Sequence, residues 1–513
     1  MIGDVQFIKG QGASGRQAAG EDYISGLLFY SATLPSGFST TNRIKKLYSI
    51  VDAENSGILN DYSDASSASS SYTVPSVPAV GTSFNVAVLT PSGLLTLASY
   101  VTVTADTILT IAGNITQLIN SQTYLTGYSA TNIGSGGSSA TFAVLAPLSL
   151  GLSANSLTLK VINSTVSGGA PLSSNFSGGA GSKLAVWHYH ISEFFRANPS
   201  GNLFVGIFPV PTTYTFSEIT TMQVFAVGKM RQIGIFKDAV YSNADLIDID
   251  LIDIDLEIKT NDDAKHAPLS ALYAGNLKGM SDITTLPNLN PLTANKVSSI
   301  VGQDGAGLGS QLFASYGKSI TQLGFALGLL SLSAVSEDFG QTIDKFNLSN
   351  GTENDVPAFA NGQLLSSMSS TAIDSIDSNR HIFGMNYIGT AGTYFNDNHT
   401  AIALSSDYAY INDNRVIDKA CRLIYSALLP SLKSRLLKNA DGTLASSTIS
   451  FLQGKALTPL YQMNRDGDLS AVSKADVYID PTQNVTMTSS LTVNVKLNED
   501  GIARNILVPI SFK

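Results

Sequence analysis

Four runs of the chain alternate apolar and polar residues: SFNVAVLT (83–90), SYVTVTAD (99–106), ATFAVLAP (140–147) and SLTLKVIN (156–163). A period of two sends successive side chains to opposite faces, so these runs predict half-buried β-strands. One short stretch among them, Ile115 to Asn120, has helical spacing. From residue 66 to 182 the charged side chains are Asp106 and Lys160 alone, and Ser, Thr, Gly and Ala dominate. DASSASSSYT before these strands and SGGAPLSSNFSGGAGSK after them read as flexible linkers.

Outside this segment the periodicity changes. Tyr23 to Tyr30 reads as a strand, and Asp52 and Glu54 fall inside an amphipathic helix. Beyond Lys183, HISEFFRANP is helical, NLFVGIFPV a buried strand, FSEITTMQVFAVG a helix and MRQIGIF another strand. Such alternation predicts a sheet with helices packed on it. ADLIDIDLIDIDLEIKT fits both periods; Ile247, Leu251, Ile254 and Ile258 share a helical face, which favours a helix. FALGLLSLSAV (325–335) reads as a buried helix. The clearest amphipathic helix is NDNRVIDKACRLIYSALLPSLKSRLLK (412–438). Val416, Ala420, Leu423, Ala427 and Leu436 lie near one face of it, and Pro430 kinks or divides it. Two alternating runs come last: Leu491, Val493, Val495 and Leu497, then, after a turn at NEDG, Ile506, Val508, Ile510 and Phe512.

The reading is an α+β chain whose mixed α/β core is built from N- and C-terminal parts and carries an inserted β-rich domain. Its expected divisions are a strand-and-linker arm at 1–20, core at 21–65, insertion at 66–182, core again at 183–490, and C-terminal strands at 491–513.

Composition narrows the function. Hydrophobic residues make up 43% of the 513, enough for a packed core, while charged residues are only 13%, about half the usual share. The formal net charge of −9, with no basic stripe, argues against direct nucleic-acid binding. Cys421 is the single cysteine, so an intramolecular disulfide and a cysteine-rich zinc site are excluded; it reads as a buried small hydrophobe. Met1-Ile2-Gly3-Asp4 has neither the basic start nor the apolar segment of a signal peptide, and no apolar run reaches the ~18 residues of a membrane helix. The expectation is a protein made in a cytosol, not inserted in a membrane, with much of its sparsely charged surface covered by other protein.

Motifs for chemistry fail on context. Gly10, Gly12 and Gly15 spell G-x-G-x-x-G, but Gly20 cuts the helix that should follow and no acidic residue stands at ribose distance. Gly317-Lys318-Ser319 has Leu312 where a phosphate loop needs glycine. GQDGAGLG (302–309) reads as a strand-to-helix turn rather than an anion cradle. His188 and His190 in WHYH fall on one side of an extended segment, which is not a metal site, and His266, His381 and His399 show no ligand spacing. Asp248, Asp250, Asp253 and Asp255 lack the glycine and distal glutamate of a calcium loop. No cofactor is expected.

The last third carries a resemblance. GTAGTYFNDNHTAIALSSDYAYINDNRVIDKACRLIYSALLP, then DGTLASSTISFLQ, PLYQMNRDGDLS, VYIDPTQNVTMTSSLTVNVKL and IARNILVPISF, resemble in order the C-terminal region of phage contractile tail sheath proteins. VWHYHISEFFRANPSGNLFVGIF, APLSALYAG and VSSIVGQDGAG are similar to the family's central region, and ITQLINSQTYLTGYSA to a β-rich insertion found in many sheath proteins. The ordered series carries the resemblance, not any one motif.

It implies a non-enzymatic virion subunit of a phage tail, assembled in the host cytoplasm. Sheath subunits form rings of six, stacked helically around an inner tail tube and bounded by baseplate and tail terminator proteins. Contraction drives the tube through the host envelope for genome ejection. Inter-subunit strands would then include Val5, Phe7, Ile506, Val508, Ile510 and Phe512. Hinges would lie at Gly10, Gly12, Gly15, Gly20 and Gly501. Lys419, Arg422, Lys433, Arg435 and Lys438 concentrate positive charge that either faces the tube or is a solvated helix face. The alternatives are the sheath of a contractile injection system or bacteriocin, and, in a different class, a β-rich surface adhesin or carbohydrate-binding protein.

Overall fold

The computed structural model of the chain describes residues 22–136, 139–163, 172–241, 247–504 and 506–510. At its centre is a seven-stranded sheet in the spatial order His381–Ile382, Val297–Ile300, Ser270–Gly275, Gln232–Lys237, Ile24–Tyr30, Asn202–Phe208, Ile44–Leu47. Six strands run parallel, and the edge strand Ile44–Leu47 is antiparallel. Ile24–Tyr30 is buried at every position because a parallel sheet is covered on both faces. Leu27 and Phe29 enter one core with the helices Lys183–Ala197 and Leu323–Leu332. Leu28 and Tyr30 enter the other with Glu218–Phe225 and Ile247–Glu257. The expected mixed α/β core is found, and the ambiguous Ile/Asp run is a helix whose Leu251 and Ile254 face the sheet.

Leu323–Leu332 is apolar all round and crosses Lys183–Ala197 closely. A β-carbon at Gly324 would fall 2.2 Å from the His190 carbonyl oxygen, and one at Gly328 2.6 Å from that of Phe194. The two glycines of LGFALG therefore set how near the helix backbones approach.

The extended reading of WHYH is overturned. These residues belong to the helix Lys183–Ala197, started by Ser182, whose hydroxyl accepts the Ala185 amide. Residues two apart on a helix diverge. His188 reaches out to Glu54 at 3.0 Å, while His190 is buried among Phe29, Tyr189 and Phe236.

Between residues 66 and 182 lie two antiparallel sheets. One has the order Ser69–Val74, Ser139–Leu145, Ser129–Gly136; the other Gly93–Val101, Ser83–Thr90, Thr158–Asn163, Leu172–Asn175. Their inner faces and the helix Ile108–Ser121 bury Phe84, Ile111, Ile115, Phe142 and Phe176 in a separate cluster. The strand expected over SYVTVTAD stops at Val101 because Asp106 takes the Val103 amide at 2.8 Å and turns the chain into the Thr107 cap. The flanking Ser/Gly runs, expected to be loose, are paired where described. Ser66 bridges Ala180, Ser69 bridges Ser177, and the Asn155 amide both donates to and accepts from Gly179. At the base Asp64 accepts the Lys183 and Leu184 amides at 2.9 and 3.2 Å. The result is an ordered two-stranded neck.

Toward the C-terminal side, Ile411–Leu428 packs Val416 and Ala420 against Ala456, Leu460 and Met463 of Ser446–Asp466. The helix expected to run to residue 438 ends at Leu428, where Leu429–Ser431 makes a tight turn around Pro430. Cys421 is exposed rather than buried, since it stands one residue, about 100° of turn, beyond buried Ala420.

Candidate assembly surfaces

The topological switch point and the glycine-rich turn, where a ligand site would form, are filled by the chain's own side chains. In a doubly wound sheet the crevice forms where connections reverse direction, here between Ile24–Tyr30 and Gln232–Lys237. At that point Tyr273 donates to Asp250, Lys237 pairs with Asp250 at 2.8 Å and lies over the Tyr214 ring, and Tyr30 donates to Glu218. The helix Leu308–Tyr316 after GQDGAGLG directs its first amides at Glu353: Leu308 donates at 2.7 Å and Gly309 at 3.4 Å. The anion at this helix start is the chain's own.

Lys318 pairs with Asp238, and the Ser319 hydroxyl donates to the Ala360 carbonyl. His381 sits between Ser299 and the Pro287 carbonyl, His399 is 3.1 Å from Asp377, and His266 stacks on Tyr425. Among the described residues no group of three His, Cys, Asp or Glu side chains is placed to hold a metal, and no helix is long and apolar enough to cross a membrane.

The unsatisfied surface lies instead where the chain enters and leaves the body. Val5, Phe7, Gly10, Gly12, Gly15 and Gly20 lie outside the described residues. Asp22, the first described residue, bonds Lys419 and Arg422, each at 2.9 Å, and Lys419 also meets Asp468 at 2.8 Å. Burial alone would raise the Asp22 pKa; the two cations outweigh it and hold the carboxyl below its usual range.

Near the other end, Leu491, Val493, Val495 and Leu497 are each half-buried, and the pairing described there is Asn494–Val495 on Val477–Tyr478 and a single bridge between Ala471 and Asn498. Arg504 follows. Its guanidinium lies 3.3 Å over the Tyr410 ring and bonds Asp397 at 3.0 Å, Asp338 at 3.2 Å and Asn398 at 3.3 Å. Beyond it Ile506, Leu507, Val508 and Ile510 are 78%, 92%, 70% and 91% exposed, and no strand is formed at 506–510. Phe512 lies outside the described residues.

The five cations do not act alike. Lys419 and Arg422 are drawn into the Asp22 and Asp468 network, while Lys433, Arg435 and Lys438 are exposed, Lys438 reaching Thr486 at 2.6 Å. Spacing along the chain could not reveal the Asp22 and Arg504 contacts: Arg422 stands 400 positions from Asp22, and Asp397 stands 107 from Arg504.

A family model described as the DUF2586 C-terminal domain matches residues 407–513. No curated protein matches. Among solved structures the chain is similar to the helical sheath of the anti-feeding prophage in its contracted state, at 12% identity and TM-score 0.44, covering 63% of this chain and 81% of that one. The sheath tail protein Lin1278 of Listeria innocua matches at 10% identity and TM-score 0.40, over 94% of this chain and 92% of that one. A chain of the contracted anti-feeding prophage baseplate matches at 12% identity and TM-score 0.40, over 64% and 84%.

Proposed function

We propose that this chain is the sheath subunit of a contractile tail, polymerising as stacked rings of six around an inner tube and contracting to drive that tube through a cell envelope. The observation that carries the reading is the run Ile506 to Ile510: strongly apolar, almost wholly exposed and without a strand partner. A soluble subunit gains by covering such a run, and an extended segment is covered most readily by adding to a neighbour's sheet. The ordered series of sheath-like motifs supports the same reading. A head-to-tail contact of this kind does not close on itself and generates a helix of subunits. The test is electron microscopy of the purified protein: tubes with a regular transverse repeat are expected, and a monodisperse monomer at every concentration and salt would overturn the reading.

On this reading the two sheets between residues 66 and 182 form an outer domain not needed for assembly. The neck brings Ser66 and Ala180 into direct pairing, so a short Gly/Ser linker in place of 67–179 spans the gap without strain. The shortened chain is expected to keep its cooperative melting transition and to form tubes of reduced outer diameter. Loss of the transition would make the insertion integral to the core.

A further inference from the structure

The segments leading to the two ends of the chain are seated on one helix. Asp22 bonds Lys419 and Arg422, which lie one turn apart on Ile411–Leu428. Arg504 lies over Tyr410, the residue that starts the same helix. One of its other partners, Asn398, is tied to that start: it accepts the Ile411 amide through its carbonyl at 3.0 Å and donates its side-chain amide to Asn412 at 2.8 Å. The helix is in turn bolted to the body. Buried Arg415 donates to the Ser333 hydroxyl at 2.9 Å, Asn414 accepts from Asn295 at 2.7 Å, and Asp418 pairs with Lys296 at 2.6 Å.

We propose that Ile411–Leu428 is a bracket that seats the chain at Asp22 and at Arg504, so that one rigid element sets the spacing between the two points from which inter-subunit arms depart. The inference deepens the sheath reading, on which the arms rest, but the seats themselves belong to the single subunit. It also moves the C-terminal pivot. Gly501 precedes Arg504 and therefore lies on the body side of the seat, so the NEDG turn is not the pivot. The Arg504 seat selects a guanidinium: a planar donor fork between two carboxylates and against an aromatic face is a geometry that lysine cannot reproduce.

Hydrogen exchange on the full-length, unassembled chain tests this independently of tube formation. Arg504→Met should speed exchange of the Ala471–Asn498 region and of residues 502–504 about tenfold or more while leaving the start of strand Ile24–Tyr30 unchanged. Arg504→Lys should give only partial rescue. Lys419→Met with Arg422→Met should do the reverse, loosening the start of that strand alone. Lys296→Met, which removes the Asp418 bolt and bonds neither seat, should loosen both regions together; if it fails to fold, Val416→Ala supplies the milder loosening. Both regions moving together in that variant is the expected result. A response in one region only, or in neither, would overturn the bracket. Tube imaging is read separately: loss of tubes in the wild-type chain bears on the sheath reading, and loss of coupled exchange bears on the bracket.

Discussion

A chain ending at Arg504 should fold and melt as the full-length protein does, yet form no tubes. Ile506, Leu507, Val508 and Ile510 are almost fully exposed on the subunit, so their removal takes nothing from its core. The Arg504 seat survives the cut, which leaves the body intact. What is lost, on the proposed sheath reading, is an exposed segment free to add as a strand to a neighbour, with alternate side chains setting register. Pro509 has no amide donor and leaves one ladder position unpaired, which suits a strand added at an edge. Sedimentation and electron microscopy of the truncated chain check this. Tubes of normal length would remove these residues from assembly, and a melting temperature lowered by more than about 5 °C would make them part of the body.

The second large effect is acid lability centred on His190. The ring is fully buried among aromatic side chains and neither nitrogen has a hydrogen-bond partner. Burial penalises the charged imidazolium and lowers the pKa from 6.5 to about 3. Above pH 6.5 folded and unfolded chains both carry a neutral ring, so nothing is lost. Below it the unfolded chain binds a proton that the folded protein refuses until about pH 3. Stability therefore falls by about 1.4 kcal/mol per pH unit across that window, roughly 5 kcal/mol in all. Replacement by leucine, similar in size and with no polar atom to desolvate, should leave neutral stability within about 1 kcal/mol and abolish this part of the acid limb. Urea denaturation of both proteins from pH 7.5 to 4.5 isolates it, because other titrating groups, such as buried His381, are common to both. Parallel stability curves would refute the account.

The buried sheet was legible because its strands are doubly covered. Ile24–Tyr30, Asn202–Phe208 and Gln232–Lys237 read as continuous apolar runs, and a parallel sheet needs such runs. The Ile/Asp segment was settled by which aliphatics could share a face. Misreadings came where a local word overruled its context. WHYH suggested an extended alternation, although Ser182 and the apolar spacing around it start a helix. In the long helix the division expected at Pro430 is found, but the residues beyond it do not resume a helix, and Leu436 lies in a small cluster beside Leu428 and Leu452. The seats at Asp22 and Arg504 were not legible at all, because each joins side chains that only the folded topology brings together.

The neck also bears on the order in which the chain folds. Ile24–Tyr30 is among the first strands to be synthesised, yet its parallel partner Asn202–Phe208 follows more than 170 positions later. A loop of that length slows native pairing and leaves a largely apolar strand waiting without a sheet. The two antiparallel sheets in between bury a core of their own and are built largely from hairpin-range contacts, so they are able to form while the rest is still being made. Once Ser66 pairs with Ala180, the effective separation between the early strand and its partner shrinks to the short stretches on either side of the neck. The insertion thus serves its own core as a loop closer, turning a long-range pairing in the sheet into a closer one.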